Sequence, residues 1–347
     1  MRCVSLFSGC GGLDLGLTQA GFQVALAVES DAHCIASYNV NFPKTPVHYG
    51  PVETLNGDLL AAASNDETLK EIDLLAGGPP CPPFSKSRFY RREKPRALGD
   101  PLGWATLHGY LSILRMLKPK AFLLENVAGL AYDVHRPALN LIVEEATREG
   151  YTLAFKVLNA ADYGVPQIRQ RFFLVGLRGK SFSFPGPTHQ EKSLGQLFVE
   201  ELPTWRTAGD AIGDLDTDSN ADDTGHFAGG KHHDLLQQIP PGENYLFFTK
   251  ERGHTKPVFR WRSRYWSFLL KLSPNMPSWT IQARRSNNMG PLHWRDRILR
   301  IEEIKRLQTF PDSWCVIGTV ERQWRQIGNA VPPLLAYHLG QALARQL

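Results

Sequence analysis

Cysteine is scarce in this chain of 347 residues: five in all, at positions 3, 10, 34, 81 and 315. The number is odd, no CxxC pair occurs and no His-x3–5-His spacing accompanies them, which argues against a disulfide framework and a structural zinc site. A reducing compartment is expected, and no metal. Apolar runs are all shorter than the roughly 20 residues of a membrane span. The N-terminus begins on the strand-like Cys3-Val-Ser-Leu-Phe7 rather than on a signal peptide. We therefore expect a cytoplasmic monomer with no membrane contact. Internal repeats and low-complexity tracts are missing too, so a solenoid is excluded. Extreme charge is also absent, since the net value of +5 permits an acidic polymer partner without demanding one.

What is present is alternation. Val4–Phe7, Val24–Val28, Ile72–Leu75, Ala121–Leu124, Leu153–Val157 and Phe172–Val175 read as strands. Between them Leu13–Gln19, Leu107–Leu117 and Leu139–Arg148 read as helices, stopped by Gly21, Lys118-Pro119 and Gly150. Such a pattern predicts an α/β fold with a doubly wound, mostly parallel sheet in which a crossover follows each strand. From about Phe184 the pattern breaks until Ile301–Leu307, and a second, smaller domain is expected over 186–298. Residues 1–185 and 299–347 then form the larger one. Within the small domain, 186–223 carries two Lys/Arg against nine Asp/Glu, and 224–299 carries twelve against four. Basic residues alternate with aromatics in Phe259-Arg-Trp-Arg-Ser-Arg-Tyr-Trp266, a composition suited to phosphate pairing and base stacking.

Several segments carry chemistry. Cys81 lies in Gly77-Gly-Pro-Pro-Cys-Pro-Pro-Phe-Ser85, directly after an apolar strand, and the prolines fix its position. Phe7-Ser-Gly-Cys-Gly-Gly-Leu13 links the first strand to a helix, as in loops that let backbone approach a cofactor, although Asp14 stands where a third glycine is usual. Glu29 ends the second strand, where an acid accepts from ribose hydroxyls. Glu125-Asn-Val127 follows a strand on the same expected sheet edge as Cys81. Gln167, Arg169 and Arg171 share one face by period-two spacing. Gln326-Ile-Gly-Asn-Ala-Val-Pro-Pro333 is expected to open the last helix.

Taken in order, Phe-Ser-Gly-x-Gly-Gly, Pro-Pro-Cys, Glu-Asn-Val, Gln-x-Arg-x-Arg, Arg306-Leu-Gln-Thr-Phe-Pro-Asp312 and Gln-Ile-Gly-Asn-Ala-Val-Pro resemble the ordered motifs of the DNA cytosine-5 methyltransferases. The resemblance covers nearly the whole chain and implies the S-adenosylmethionine-dependent methyltransferase type of sheet. It implies that Cys81 attacks carbon 6 of cytosine, Glu125 holds N3 and the exocyclic amine, Arg171 binds O2, and Arg169 steadies the site and a nearby phosphate. The cofactor implied is S-adenosyl-L-methionine, leaving as S-adenosyl-L-homocysteine. Its expected contacts are Phe7, Ser8, Gly9, Cys10, Gly11, Gly12, Leu13, Glu29, Ser30, Gly78, Pro80, Asn329, Ala330 and Val331. Two registers compete for a third cofactor motif, Pro51-Val52 and Asp58-Leu59, with the first preferred.

Duplex DNA is the implied partner, with the target base extruded from the helix. A restriction endonuclease is the implied companion. Expected DNA contacts are Ser85, Lys86, Arg88, Arg91 and Arg92 in a basic loop, and Arg260, Arg262, Arg264, Arg284 and Arg285 in the small domain. Three other readings stand beside this one: a transfer-RNA methyltransferase, a nicotinamide oxidoreductase using the glycine loop and Glu29, and a catalytically silent DNA-binding regulator.

Overall fold

Buried apolar runs become strands, and their order sets where a site can form. The computed structural model describes residues 1–58, 60, 71–80, 97–191, 202–216, 227–262 and 265–347. Cys81, Ser85, Lys86, Arg88, Arg91, Arg92, Arg264 and Leu59 lie outside them. Arg2–Leu6 (β1), Gln23–Glu29 (β2), Leu74–Gly77 (β4) and Ala121–Val127 (β5) are almost continuously buried, as strands covered on both faces must be. Val47–Tyr49 (β3), Tyr151–Asn159 (β6) and Gln170–Arg178 (β8) complete a seven-stranded sheet of order β3-β2-β1-β4-β5-β8-β6. Gln167–Ile168 (β7) leaves that sheet to pair with Ser278–Trp279 (β9), in parallel.

Neighbours from β3 to β5 are parallel, whereas β8 runs antiparallel to both β5 and β6. The expected crossover after β6 is thus corrected. Residues 160–169 number ten, fewer than the dozen or more that a parallel return needs, and Gly164 turns the chain at φ +81°. From β1 the chain builds outward through β2 and β3, then returns to the other side of β1 at β4. The strand order reverses between β1 and β4, which opens a crevice outside their carboxyl ends.

Alternate strand residues feed two cores. Leu6, Leu75, Phe122 and Leu124 pack with Leu107, Leu111, Leu114 and Ile142 from helices Pro101–Leu117 and Arg136–Arg148. Cys3, Leu74, Leu123 and Val175 pack on the opposite face with Leu13, Leu17, Leu335 and Leu339 from helices Gly12–Gln19 and Pro333–Gln346. A helix the strand-and-stop reading did not anticipate, Ala32–Asn41, is capped by Asp31, whose carboxylate accepts from the His33 and Cys34 amides.

A third core draws on residues from both sides of position 298. Ile212, Leu236, Phe248, Leu272 and Ile298 cluster with Ile304, Leu307, Phe310, Trp314, Trp324 and Ile327, so the apolar interior runs through that position. Val331 and helix Pro333–Gln346 pack in the second core with the strands. Gln326-Ile-Gly-Asn329 closes helix Val320–Asn329 rather than opening the next, because Pro332 and Pro333 set the following start.

Candidate active site

Glu125 is the best-defined reactive group among the described residues. It sits inside β5, two residues before the strand ends, and is 5% exposed. Burial raises its pKa above the usual carboxyl range; the nearby guanidiniums of Arg171 and Arg169 offset only part of that shift. Arg171 Nε meets Glu125 Oε1 at 3.0 Å, since Arg171 on β8 pairs with Val127 of β5. The result is a carboxyl whose proton is held more tightly than an exposed one's, beside a guanidinium that also donates to the Gln170 carbonyl.

The turn after β4 passes directly over this pair. A Cβ on Gly78 would lie 2.8 Å from Glu125 Oε2, so only glycine admits so close an approach. Asn126, 1% exposed, donates from Nδ2 to the carbonyl of Pro79 at 3.1 Å, and its Oδ1 accepts from the Val127 amide. Two residues later in the sequence comes Cys81, which lies outside the described residues. Asn126 was not singled out in the sequence, though it stands inside the Glu-Asn-Val motif. Cys3, Cys10 and Cys34 are poor nucleophiles: burial pushes Cys10 up to about 12 and raises Cys3 and Cys34 as well.

Period-two spacing from Gln167 to Arg171 holds, but the three side chains do different work. Gln167 donates to the Leu307 carbonyl and to Gln308 Oε1 and accepts from the Ile281 amide. Arg169 is completely buried; Nη1 donates to the Ile281 carbonyl at 3.0 Å, and Nη2 to the carbonyls of Gly328 and Ala330 at 2.8 and 3.0 Å. The expected phosphate contact for Arg169 finds no room here: the guanidinium is enclosed and donates to three carbonyls of two chain segments. Only Arg171 reaches Glu125.

Around the β1 crevice the backbone is shaped for close approach. Phe7 takes a left-handed φ of +56°, a strained position of the sort that persists where surrounding structure demands it. Ser8 is turned inward, its hydroxyl donating to Ser5. Beyond Gly9 lies open space, since an added Cβ would meet nothing within 4 Å. Gly11, at φ +89°, is pressed against Phe42 and Trp314, and the Trp314 indole donates to the Cys10 carbonyl at 3.2 Å. Gly12 abuts the carbonyl of Val331 and the methyl of Ala330. Leu13 and Asp14 are buried; the Asp14 carboxylate accepts from Ser5 and Tyr38, which explains an acid in place of the third glycine.

Glu29 is the acceptor on this rim. Its Oε2 accepts from the Gly9 amide at 2.8 Å and its Oε1 from Ser30 and Asp31 at 2.7 and 2.9 Å. Three donors fix the carboxylate without exhausting its roughly four lone-pair sites. The Gly50 amide donates to the Glu29 carbonyl, which brings Pro51 and Val52 beside it; Pro51 is exposed and Val52 is buried against Gly109. Asn329 is exposed next to Ala330. An adenosine-bearing cofactor fits such a rim, with an acid for its hydroxyls and open glycine backbone for its charged end.

Among the expected DNA contacts, Arg260, Arg262 and Arg284 are exposed, while Arg285 reaches Glu321 at 3.5 Å and is mostly covered. Trp261 and Trp266 are exposed near Arg260 and Arg262, and Trp266 meets Trp279 edge to face at 5.1 Å.

A seven-stranded sheet with one reversed strand, a glycine turn after β1, and a carboxyl–guanidinium pair at its carboxyl edge define a methyltransferase of the doubly wound class. Crystal structures of a prophage-encoded protein of E. coli (TM-score 0.70, 24% identity, 99% of each chain) and of S. pombe Dnmt2 (TM-score 0.64, 16% identity, 100% of this chain and 98% of that one) share this fold. The model of the family "C-5 cytosine-specific DNA methylase" matches residues 1–345, and the chain belongs to that family: it is a DNA cytosine-5 methyltransferase. It is similar to Type II methyltransferase M.SacI of Streptomyces achromogenes, at 38% identity over 99% of this chain and 93% of that protein. Type II methyltransferase M1.HphI of Haemophilus parahaemolyticus is 31% identical over 99% of this chain and 86% of that protein. Family membership implies S-adenosylmethionine as methyl donor and DNA as substrate. Among the described residues no helix is long and apolar enough to cross a membrane.

Proposed function

We propose that this methyltransferase acts through a covalent adduct between Cys81 and carbon 6 of an extruded cytosine, within a Type II restriction-modification system. The observation that supports the reading is the turn Gly78–Pro80, which lies against Glu125, is tied to Asn126 and immediately precedes Cys81 in the sequence, at the edge where Glu125 and Arg171 meet. N3 and O2 are neighbours on one edge of the pyrimidine. A protonated Glu125 donates to N3 while Arg171 donates to the exocyclic oxygen O2, the two side chains lying side by side as those two acceptors do.

The Cys81 thiolate adds to carbon 6, and the electron pair so displaced becomes nucleophilic at carbon 5 as the proton of Glu125 moves onto N3. S-Adenosylmethionine supplies an electrophilic methyl group when bound. A base, solvent water in the simplest case, takes the carbon 5 proton as the thiolate leaves, and N3 returns its proton to Glu125, restoring the neutral aromatic ring and the enzyme. Glu29 accepts from the ribose hydroxyls, Phe7 and Pro51-Val52 flank the adenine, and the Gly9–Leu13 backbone with Asn329–Val331 receives the methionine part. Gly78 and Pro80 line the same crevice. The base is reached only outside the duplex, at an unstacking cost of a few kcal/mol.

Duplex DNA is bound by the basic run Ser85–Arg92 and by Arg260, Arg262, Arg264 and Arg284, of which Arg260, Arg262 and Arg284 are exposed, as are Trp261 and Trp266. Membership of the methylase family over residues 1–345 leaves a nicotinamide oxidoreductase without support. The Type II relatives favour DNA over transfer RNA and suggest a companion endonuclease. Bisulfite sequencing of DNA from a methylation-free host tests the reading. A single methylated sequence context is expected with the wild type and none with Cys81→Ala; methyl transfer to tRNA alone would refute it.

A further inference from the structure

Helix Val320–Asn329 has a buried side and a basic exposed side. Trp324, Gln326, Ile327 and Gly328 are covered, whereas Arg322, Arg325 and Asn329 are exposed at i, i+3 and i+7. The segment Gln282–Arg285 lies along the same helix. The Trp324 indole donates to the Gln282 carbonyl at 2.8 Å, a Cβ on Gly328 would touch Ala283 Cα at 2.8 Å, and Arg285 meets Glu321. Arg284 lies between these contacts in the segment along the helix, and both it and Arg325 are exposed.

Three guanidiniums share this surface, and none makes an ion pair among the described residues. By contrast Arg115, Arg136, Arg148, Arg295, Arg297 and Arg306 each meet a carboxylate. The nearest acid of the helix, Glu321, is already engaged by Arg285. Like charges at i, i+3 repel by a few tenths of a kcal/mol, so the arrangement favours an external anion.

Its place on the molecule says which anion. Arg169 clasps both Ile281, at the start of the segment, and Gly328 and Ala330, at the end of the helix, while Arg171 two residues on holds Glu125. At 1.5 Å per residue, Arg322 stands about 9 Å along the axis from Gly328, a length comparable to two or three base steps of duplex. Ser37 on helix Ala32–Asn41 hydrogen-bonds Gln326, and Arg325 acts electrostatically on Cys34, so the strip faces the carboxyl edge of the sheet.

We propose that Arg284, Arg322 and Arg325 form a backbone-phosphate track that positions duplex DNA beside the active site without reading its sequence. The proposal rests on DNA being the substrate; it adds Arg322 and Arg325 to the expected DNA contacts and gives Arg284 a sequence-neutral phosphate role beside them. Guanidiniums give bidentate, sequence-neutral hydrogen bonds to phosphate, and each phosphate so neutralised releases counterions.

Filter binding of the whole protein to a short mixed-sequence duplex over a range of salt, with Arg284→Gln, Arg322→Gln, Arg325→Gln and the triple variant, tests the track. Removing one guanidinium should lower the slope of log affinity against log salt by roughly 0.9, and the triple variant should lose about 2 to 3. The KM for DNA should rise while the methylated sequence context stays the same. Unchanged slopes would overturn the proposal. So would an unchanged slope with weakened S-adenosylmethionine binding, which would assign the arginines to the cofactor carboxylate. A wild-type protein showing no salt-dependent DNA binding would instead defeat the proposed function, and the track with it.

Discussion

At the residue scale, environment turns ordinary side chains into reagents. Glu125 is raised by burial and only partly brought back by Arg171 and Arg169, so it holds a proton where an exposed glutamate would not. Glu125→Gln keeps the shape and removes the transferable proton, and should lower kcat by about 10²- to 10⁴-fold with methyl-donor affinity unchanged. In wild type, activity should fall as pH rises past a midpoint above the ordinary carboxyl range; that limb should vanish in the variant, which a pH–rate profile checks. Asn126→Ala frees the Pro79 carbonyl and should depress kcat more than KM, with less adduct formed in rapid-quench trapping.

Asp14 makes a different prediction. Burial raises it to about 6, against 3.8 when exposed, even though Ser5 and Tyr38 donate to it. Because the folded state binds the proton more tightly, this group's stabilisation is present below about pH 4 and is lost as pH rises through about 6. Asp14→Asn should abolish that decline, worth about 2 to 3 kcal/mol at pH 8. Urea unfolding at a series of pH values would show a flatter curve if the reasoning holds, and an unaltered one if it does not.

At the scale of elements, the sheet and its helices were legible because apolar runs and stop residues are local signals. Lys118 at φ +43° before Pro119, and Gly21 and Gly150 at positive φ, end their helices as their identities suggested. Reversal of β8 was not legible, since strand direction depends on whether ten residues can make a crossover. Nor was the division of labour among Gln167, Arg169 and Arg171: spacing gave a shared face, while the partners of Arg169 came from residues 112 to 161 positions away. Close packing of helices Gly12–Gln19 and Pro333–Gln346 yields a direct test. A Cβ on Gly16 would lie 2.3 Å from the Pro333 carbonyl, so Gly16→Ala should lose about 1 to 3 kcal/mol by denaturant unfolding.

At the scale of the molecule, one enclosed guanidinium joins β8's approach, the 281–285 segment and the end of helix Val320–Asn329. A lysine cannot bridge three carbonyls with a planar fork, so Arg169→Lys should lower stability by about 2 to 4 kcal/mol and reduce activity through displaced Arg171 and Asn329. Thermal unfolding with and without methyl donor measures both. Glu125, Arg171 and the Gly78 turn converge from three strands, and the central claim is that they serve a thiol joined transiently to the base. The most direct measurement is denaturing electrophoresis and peptide mass mapping after incubation with 5-fluorocytosine duplex of the recognised sequence plus methyl donor. The account predicts a stable DNA adduct on Cys81, absent in Cys81→Ser; methylation of ordinary DNA by a protein that forms no such adduct, or forms it elsewhere, would contradict it.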